Sequence, residues 1–435
     1  MAVAPATSVP SALPCALPGT PLAAARPGID TCVHCGFCLQ ACPTYINLED
    51  ENDSPRGRIL LMREVIEGHL APDDPAVHTH IDRCLGCRAC ETACPSGVPY
   101  GQLLEATRAT LKEYRPIPPV ARLILWVFAR PRLLALALAG SRLARATGIP
   151  ALLSRLGGRL GFAMSMLAST GRPRGAGAEY DAAGSGARGT TALLTGCVME
   201  GLFAETNRAT ERTLTANDYA IVEAPGQRCC GALHAHAGDL DTARELARAN
   251  VAAFERAGAR YVAVNAAGCG AMMKEYAHLL ADDPEWATRA AAVAATVRDV
   301  SELLADAGPR PSTAPLGRRV TYDAPCHLLH AQRIVSPPLA VLKAAGVELV
   351  PLTDSDQCCG SAGIYNLIEP DVSNAVLAPK LAFIRDAGAP VVATGNPGCL
   401  MQIGAGLRGE RMDVVARHPV ELLDEAYARE GRDGD

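Results

Sequence analysis

The chain has 435 residues, 17 of them cysteine, a length that suits two or three domains. Hydrophobic residues make up 49%, enough to bury real cores, which excludes a disordered chain. A net charge of −5 with only 4% aromatics excludes a general nucleic-acid binder, which needs basic excess for phosphates and rings for base stacking.

Residues 1–28 are rich in Ala and Pro, with no charged start and no long apolar run, so they read as a flexible arm with Cys15 as a stray thiol. Without a secretory signal, cysteine-rich runs favour metal ligation over disulfides. The expected location is the cytoplasm, with peripheral attachment to the inner face of the cytoplasmic membrane as a further option.

Residues 29–115 hold two runs of the same spacing, "CVHCGFCLQACP" from Cys32 and "CLGCRACETACP" from Cys84. C-x2-C-x2-C-x3-C-P is the bacterial ferredoxin pattern for a [4Fe–4S] cluster, in which the last cysteine ligates the other cluster. One cluster is therefore expected on Cys32, Cys35, Cys38 and Cys94, and a second on Cys84, Cys87, Cys90 and Cys42. Zinc is the structural alternative, but zinc sites use paired C-x2-C hooks rather than a triple ending in C-P. His34, Arg83 and Arg88 flank the runs and read as shell or solvated residues. Between the runs, "DSPRGRILLMREVIEGH" predicts a helix with Ser54 as N-cap, Pro55 in the first turn, Gly68 past the end, and Ile59, Met62 and Ile66 on one face. The acidic "EDEND" before it reads as a solvated turn.

Residues 116–172 are apolar, arginine-rich and helical in period, and read as a connector packed on its own protein. An amphipathic surface for a membrane or membrane subunit is the sharper alternative. No stretch reaches about 18 uninterrupted apolar residues; Arg130, Pro131 and Arg132 break the nearest one. Residues 173–189 read as a Gly/Ala/Ser linker, completing a connector region of 116–189.

Two copies of one module follow, at 190–309 and 318–430. Cys197 precedes the pair Cys229–Cys230 by 32 positions, and Cys326 precedes Cys358–Cys359 by 32. Glycine follows each pair, and Cys269 and Cys399 lie 39 and 40 positions beyond it. The flanking text "FERAGARYVAVNAAGC" parallels "FIRDAGAPVVATGNPGC", as a repeat requires. In each copy β-prone runs stop shortly before the cysteines and helical patterns lie between them, which predicts a small parallel sheet with its site at the strand carboxyl ends. Helix N-termini there favour thiolates. Each set of four could hold an iron–sulfur cluster or zinc, form a redox-active thiol pair, or serve as small buried residues. Two matched sets argue for ligation in at least one module. His234, His236, His327 and His330 lie nearby as candidate ligands or proton carriers, with a supporting role as the default. No Walker loop, zinc-protease helix, nucleophile elbow or dinucleotide fingerprint is present.

The order of parts, with "CVHCGFCLQACPTY", "SPRGRI", "DRCLGCRACETACPSGVPYGQLLE", "GCGAMMKEY", "CHLLHAQ" and "CCGSAGIYNL", resembles the iron–sulfur subunit of glycolate oxidase over nearly all of the chain after residue 28. The resemblance implies a multidomain α+β and α/β fold: a two-[4Fe–4S] ferredoxin-like helical domain, a helical connector and two repeated CCG (cysteine-rich) modules. It also implies a non-catalytic subunit that takes electrons from FAD-binding subunits oxidising glycolate to glyoxylate and passes them to a quinone or membrane acceptor, with the eight ferredoxin cysteines as ligands. Other flavin-linked dehydrogenases (glycerol-3-phosphate or lactate type), a heterodisulfide reductase-like subunit and a zinc-stapled non-redox scaffold are the alternatives. Heterodisulfide reductase modules end in C-x2-C; here Ala266 and Asn396 stand at the first position of that pair.

Overall fold

The computed structural model describes residues 15–156, 158–171, 184–306 and 308–433. Its N-terminal part is helical and built around the two cysteine runs. The helix Pro55–Ile66 begins as expected: the Ser54 hydroxyl accepts the Gly57 N–H, and Ile59, Met62 and Ile66 face the core. Residues 15–28 correct the flexible-arm expectation. Their short helices Pro21–Ala24 and Arg26–Asp30 bury Leu22 and Ile29 against Met62 and Leu103, and the Ala16 N–H donates to the Ile66 carbonyl at 2.7 Å. Apolar residues at 17, 22 and 29 are spaced too irregularly for a periodicity reading, yet each fills the core of a small domain short of apolar surface. Residues 1–14 of the arm lie outside the described residues.

The connector forms helices Pro119–Phe128, Pro131–Ala146, Ile149–Leu153 and Gly158–Ser169. It packs on its own protein along one side. The last of these helices lies on Pro397–Gly409, where the Ser165 hydroxyl donates to the Ala405 carbonyl at 3.2 Å. Residues 173–183 of the expected linker lie outside the described residues.

Each repeat folds as a four-stranded parallel sheet. The first comprises β1 (Gly189–Leu193), β2 (Tyr219–Val222), β3 (Tyr261–Val264) and β4 (Val297–Asp299), in the order β2-β1-β3-β4. The second comprises β5 (Arg319–Tyr322), β6 (Glu348–Val350), β7 (Val391–Ala393) and β8 (Val415–Arg417), in the order β6-β5-β7-β8. The strand positions match the sequence reading except for β4 and β8. These are three-residue strands, "VRD" and "VAR", whose charged residues hide any alternation.

The modules pack through reciprocal helix pairs. Ala204–Ala216 of the first meets Pro419–Asp433 of the second, and Val300–Asp306 of the first meets Pro337–Ala344 of the second. Ala204–Ala216 and Pro337–Ala344 occupy equivalent places in the two copies, as do Val300–Asp306 and Pro419–Asp433. Each contact is thus repeated with the roles exchanged, the signature of an isologous interface inside one chain. Leu214, Leu303 and Leu304 of the first module share one buried cluster with Val341, Leu342, Leu423 and Tyr427 of the second. Polar bonds fix the register: Arg212 forks onto Asp424 at 2.9 and 2.6 Å, and the Asn217 amide donates to the Tyr427 hydroxyl at 3.1 Å.

Leu342 is fully buried in that shared cluster, so Leu342→Ala should cost about 2–5 kcal/mol. Because the cluster is common property, scanning calorimetry should show both modules melting in one transition moved to lower temperature. Two resolved transitions, only one of them displaced, would show separate cores instead.

Candidate metal centres

The first cysteine run is a loop between Asp30 and the helix Pro43–Leu48. Two consecutive tight bends need unusual backbone: His34 has φ 53° and Gly36 φ 88°. A side chain at Gly36 would also strike Arg56, 2.9 Å from the would-be Cβ. Cys32, Cys35 and Cys38 line one cavity, and the cysteine that joins them across it is Cys94, from the end of the other run; Cys90 also reaches its wall. Burial raises the Cys38 thiol to about 11.

Cys42 sits on the other side. It is buried, its Sγ is 3.2 Å from the Thr44 hydroxyl, and its charge is felt by Cys87 and Cys90. Burial pushes both of those thiols far up, and neighbouring thiols add to it. The Tyr100 hydroxyl and the Gly86 N–H point at Cys84 Sγ from 3.6 and 3.4 Å. Cys94 thus lines the cavity of the first run, and Cys42 lies within electrostatic reach of Cys87 and Cys90 of the second and of Cys38 of the first.

Sequence reasoning missed Arg58. Its side chain is 1% exposed, with Nη1 4.0 Å from Cys42 Sγ and donating to Thr44 Oγ1 at 3.0 Å, Nε donating to the His80 carbonyl at 2.6 Å, and Nη2 donating to Asp53 at 3.1 Å. Burial works against its charge, but the Cys84, Tyr100, Cys42 and Asp53 charges outweigh it and raise its pKa. The signal was present: Arg58 precedes Met62 by four positions, inside the buried stripe of its helix, and a cation there demands a partner. That partner corrects the solvated-turn reading of "EDEND". Asp53 is completely buried and also accepts Arg83 Nη1 at 3.0 Å. Arg83 and Arg88 are likewise not simply solvated. Arg88 bridges Glu91 at 2.9 Å and Glu275 of the first module at 2.5 Å, tying the second run to that module.

In each module the four cysteines converge beyond the strand ends. Cys197 follows β1, the pair Cys229–Cys230 follows β2, and Cys269 lies in the first turn of the helix Ala267–Lys274 after β3. Cys197 Sγ is 3.6 Å from Cys229 Sγ, Cys229 contacts Cys230 through their thiols, and Cys230 contacts Cys269. The second module repeats the chain of contacts from Cys326 to Cys358 to Cys359 to Cys399. Hydrogen bonds from the flanking thiols pull Cys229 and Cys358 well below the ordinary thiol range, and they push Cys197, Cys230, Cys326 and Cys359 up. The glycine of each CCG has a geometric cause. Gly231 has φ 89° and Gly360 φ 85°, and a Cβ at Gly360 would lie 2.5 Å from the Ser373 carbonyl oxygen.

The two sets lie on either side of one junction. The N-terminus of Ala267–Lys274 meets that of Pro397–Gly409: the Ala267 N–H donates to the Gly395 carbonyl and the Gly268 N–H to Asn396 Oδ1, both at 3.2 Å. Asn396 also turns its amide to Cys399 Sγ at 3.5 Å, whereas Ala266 offers the first module no such donor. The surroundings differ too. Cys358 packs in one apolar cluster with Leu85, Cys87 and Ala89 of the second ferredoxin run, and Cys326 lies against it. Cys230 packs instead with Met199 and Met272 inside the first module.

The histidines divide. His234 is held by the Leu125 carbonyl at 3.0 Å, and His330 by Thr92 at 3.0 Å and the Asp356 carbonyl at 3.2 Å. His236 bonds Glu105 at 2.8 Å and stacks on His327 at 5.4 Å between ring centroids. His327 Nδ1 is 3.7 Å from Cys326 Sγ, and burial lowers its pKa to about 3.

Residues 28–98 match the 4Fe-4S dicluster domain model, and residues 191–274 and 320–404 match the Cysteine-rich domain model. A probable glycolate oxidase iron-sulfur subunit of Bacillus subtilis is 38% identical over 91% of this chain and 93% of its own. The glycolate oxidase iron-sulfur subunit of Escherichia coli is 33% identical over 92% and 94%. Lactate utilization protein A of an Exiguobacterium strain is 30% identical over 54% of this chain and 96% of its own.

Replacing Arg58 by Met would remove the fully buried guanidinium facing Asp53 and leave that carboxylate only the partly exposed Arg83 as a cationic partner at 3.0 Å. Arg58→Met should therefore cost about 3–5 kcal/mol, read as a lowered denaturant midpoint, whereas Arg58→Met with Asp53→Asn should recover part of the loss. Equal stability of Arg58→Met and the parent would show that the ion pair is not structural.

Proposed function

The chain belongs to the glycolate oxidase iron–sulfur subunit family, and we propose that it relays electrons from FAD-binding subunits, which oxidise glycolate to glyoxylate, toward a quinone. The observation that supports this most is the row of thiol sets: Cys32, Cys35, Cys38 and Cys94; then Cys42, Cys84, Cys87 and Cys90; then Cys326, Cys358, Cys359 and Cys399, the last two groups meeting where Cys87 and Cys358 share one apolar cluster with Cys326 against it. Iron–sulfur clusters, when bound, supply one-electron carriers at such sites. On this reading the first two sets each hold a [4Fe–4S] cluster, and the module sets hold a further iron–sulfur cluster or zinc.

The residues fit the role. Soft thiols are gathered from separate loops, those of Cys42, Cys84, Cys87 and Cys90 are buried, the buried Arg58 guanidinium offsets negative charge beside Cys42 and Cys84, and Tyr100 and Gly86 direct hydrogen bonds at a ligand sulfur. Asn396 does the same for Cys399. The sequence carries no flavin or nicotinamide fingerprint, so substrate oxidation is assigned to a partner subunit. The location proposed is the cytoplasmic side of the membrane that holds the quinone.

Two experiments test the reading. Cys94→Ser should alter the EPR signal of the cluster on Cys32, Cys35 and Cys38, and Cys42→Ser that of the other; the opposite assignment would overturn the ligand exchange. The purified chain should reduce no dye with glycolate until flavin subunits are added, and turnover by the single chain would refute the relay role. In the same preparation, iron above the roughly eight atoms of two [4Fe–4S] clusters would place clusters in the modules, and zinc with only that iron would favour a staple.

A further inference from the structure

The connector is charged unlike the rest of the molecule. From residue 114 to 178 there is no Asp or Glu, while ten arginines occur, so this stretch carries +10 against −15 for the remainder. It is also where apolar side chains face outward. Val120, Leu123 and Trp126 are 60%, 61% and 47% exposed, at a spacing of three that places them on one face of Pro119–Phe128. The opposite face buries Ala121 and Leu125. Leu136 and Leu143, two helical turns apart on Pro131–Ala146, are each 69% exposed, and Ile149, Leu152, Leu156 and Leu160 continue the series. Exposed arginines run among them: Arg122, Arg130, Arg132, Arg142, Arg155 and Arg159. The Arg130 guanidinium lies over the Trp126 ring at 4.3 Å.

No single helix among the described residues is long and apolar enough to cross a bilayer, and the first two connector helices meet at 106°. We propose that the connector is a docking surface for an anionic phospholipid membrane, its leucines and Trp126 entering the headgroup boundary and its arginines pairing with lipid phosphates. Alternating arginine and leucine on short, broken helices suits this occupant. The long side chains carry their charge up to the headgroups while their stems lie among the acyl chains. The exclusion of every carboxylate over 65 residues has the same cause, since a negative charge there would be repelled by the lipid. An acidic face on another protein would account for the arginines but not for so many leucines spread over four helices. The surface is independent of the substrate that a flavin partner oxidises, and goes beyond the relay reading by naming where the chain meets a lipid.

The test is sedimentation of the anaerobically purified full chain with vesicles of phosphatidylcholine alone and of phosphatidylcholine mixed with phosphatidylglycerol. Binding is expected to the mixed vesicles, weakening as salt is raised. Arg122→Gln with Arg132→Gln and Arg142→Gln should weaken it by at least about tenfold. Leu123→Glu with Trp126→Glu should abolish it, as should Leu136→Glu with Leu143→Glu. All seven positions are on the surface, so iron content should stay that of the parent. Equal binding to both vesicle types, no binding to either, or charge and leucine variants that bind like the parent would each overturn the proposal. So would a parent chain that ignores vesicles while the same variants lose co-purification with flavin subunits, which would make the surface a protein interface.

Discussion

Crowding of thiols in a dry space is the constraint on which the rest of the molecule depends. Cys197 and Cys229 are in sulfur contact, and the corresponding set in the second module repeats the arrangement. In this company Cys197, Cys230, Cys326 and Cys359 hold their protons, pushed up by hydrogen bonds to neighbouring thiols and by burial, while Cys229 and Cys358, which accept those bonds, are pulled down. A bound cation reverses that balance, because it takes four thiolates as ligands and releases their protons. The sheets, the φ > 0 glycines and the helix N-termini all serve to hold sulfur atoms in this otherwise unfavourable company.

Duplication solves the problem twice with one design, and the second module departs from the first where it meets the rest of the chain. Equal sheet orders and exchanged helix pairs give the modules equivalent frames. Within those frames Asn396 donates toward Cys399, whereas Ala266 cannot, and the second set touches the residues around Cys87, whereas the first is embedded in its own module. Different hydrogen bonding and different neighbours are the levers by which proteins separate the potentials of similar centres. The two sets are therefore chemically distinct sites despite their common spacing.

Much of this was legible in the chain, for identifiable reasons. Spacing is local information, so the cysteine runs and the strands before Cys197 and Cys326 could be read directly, as could the cap at Ser54. The missed elements are those whose cause lies elsewhere in the fold. Asp53 looked like part of a solvated acidic turn because its partners, Arg58 and Arg83, come from a helix and a loop up to 30 positions away. Leu22 and Ile29 sit in an Ala/Pro-rich stretch whose order comes from the core it covers. β4 and β8 are strands only because β3 and β7 offer them a parallel edge.

Electron transfer between fixed centres requires that their separations not fluctuate, and the packing meets this requirement at each joint. Arg88 locks the second run to Glu275 of the first module, and the Tyr365 hydroxyl of the second module bonds the Arg83 carbonyl at 2.8 Å, beside the same run. The modules in turn share one apolar cluster and the Arg212–Asp424 fork. Ferredoxin domain and modules thus form a closed triangle of contacts, in which no pair can hinge without breaking a joint to the third. Such a unit gives up conformational freedom that an enzyme closing on a substrate would keep. That rigidity suits an iron–sulfur electron-transfer subunit, whose centres must keep fixed separations.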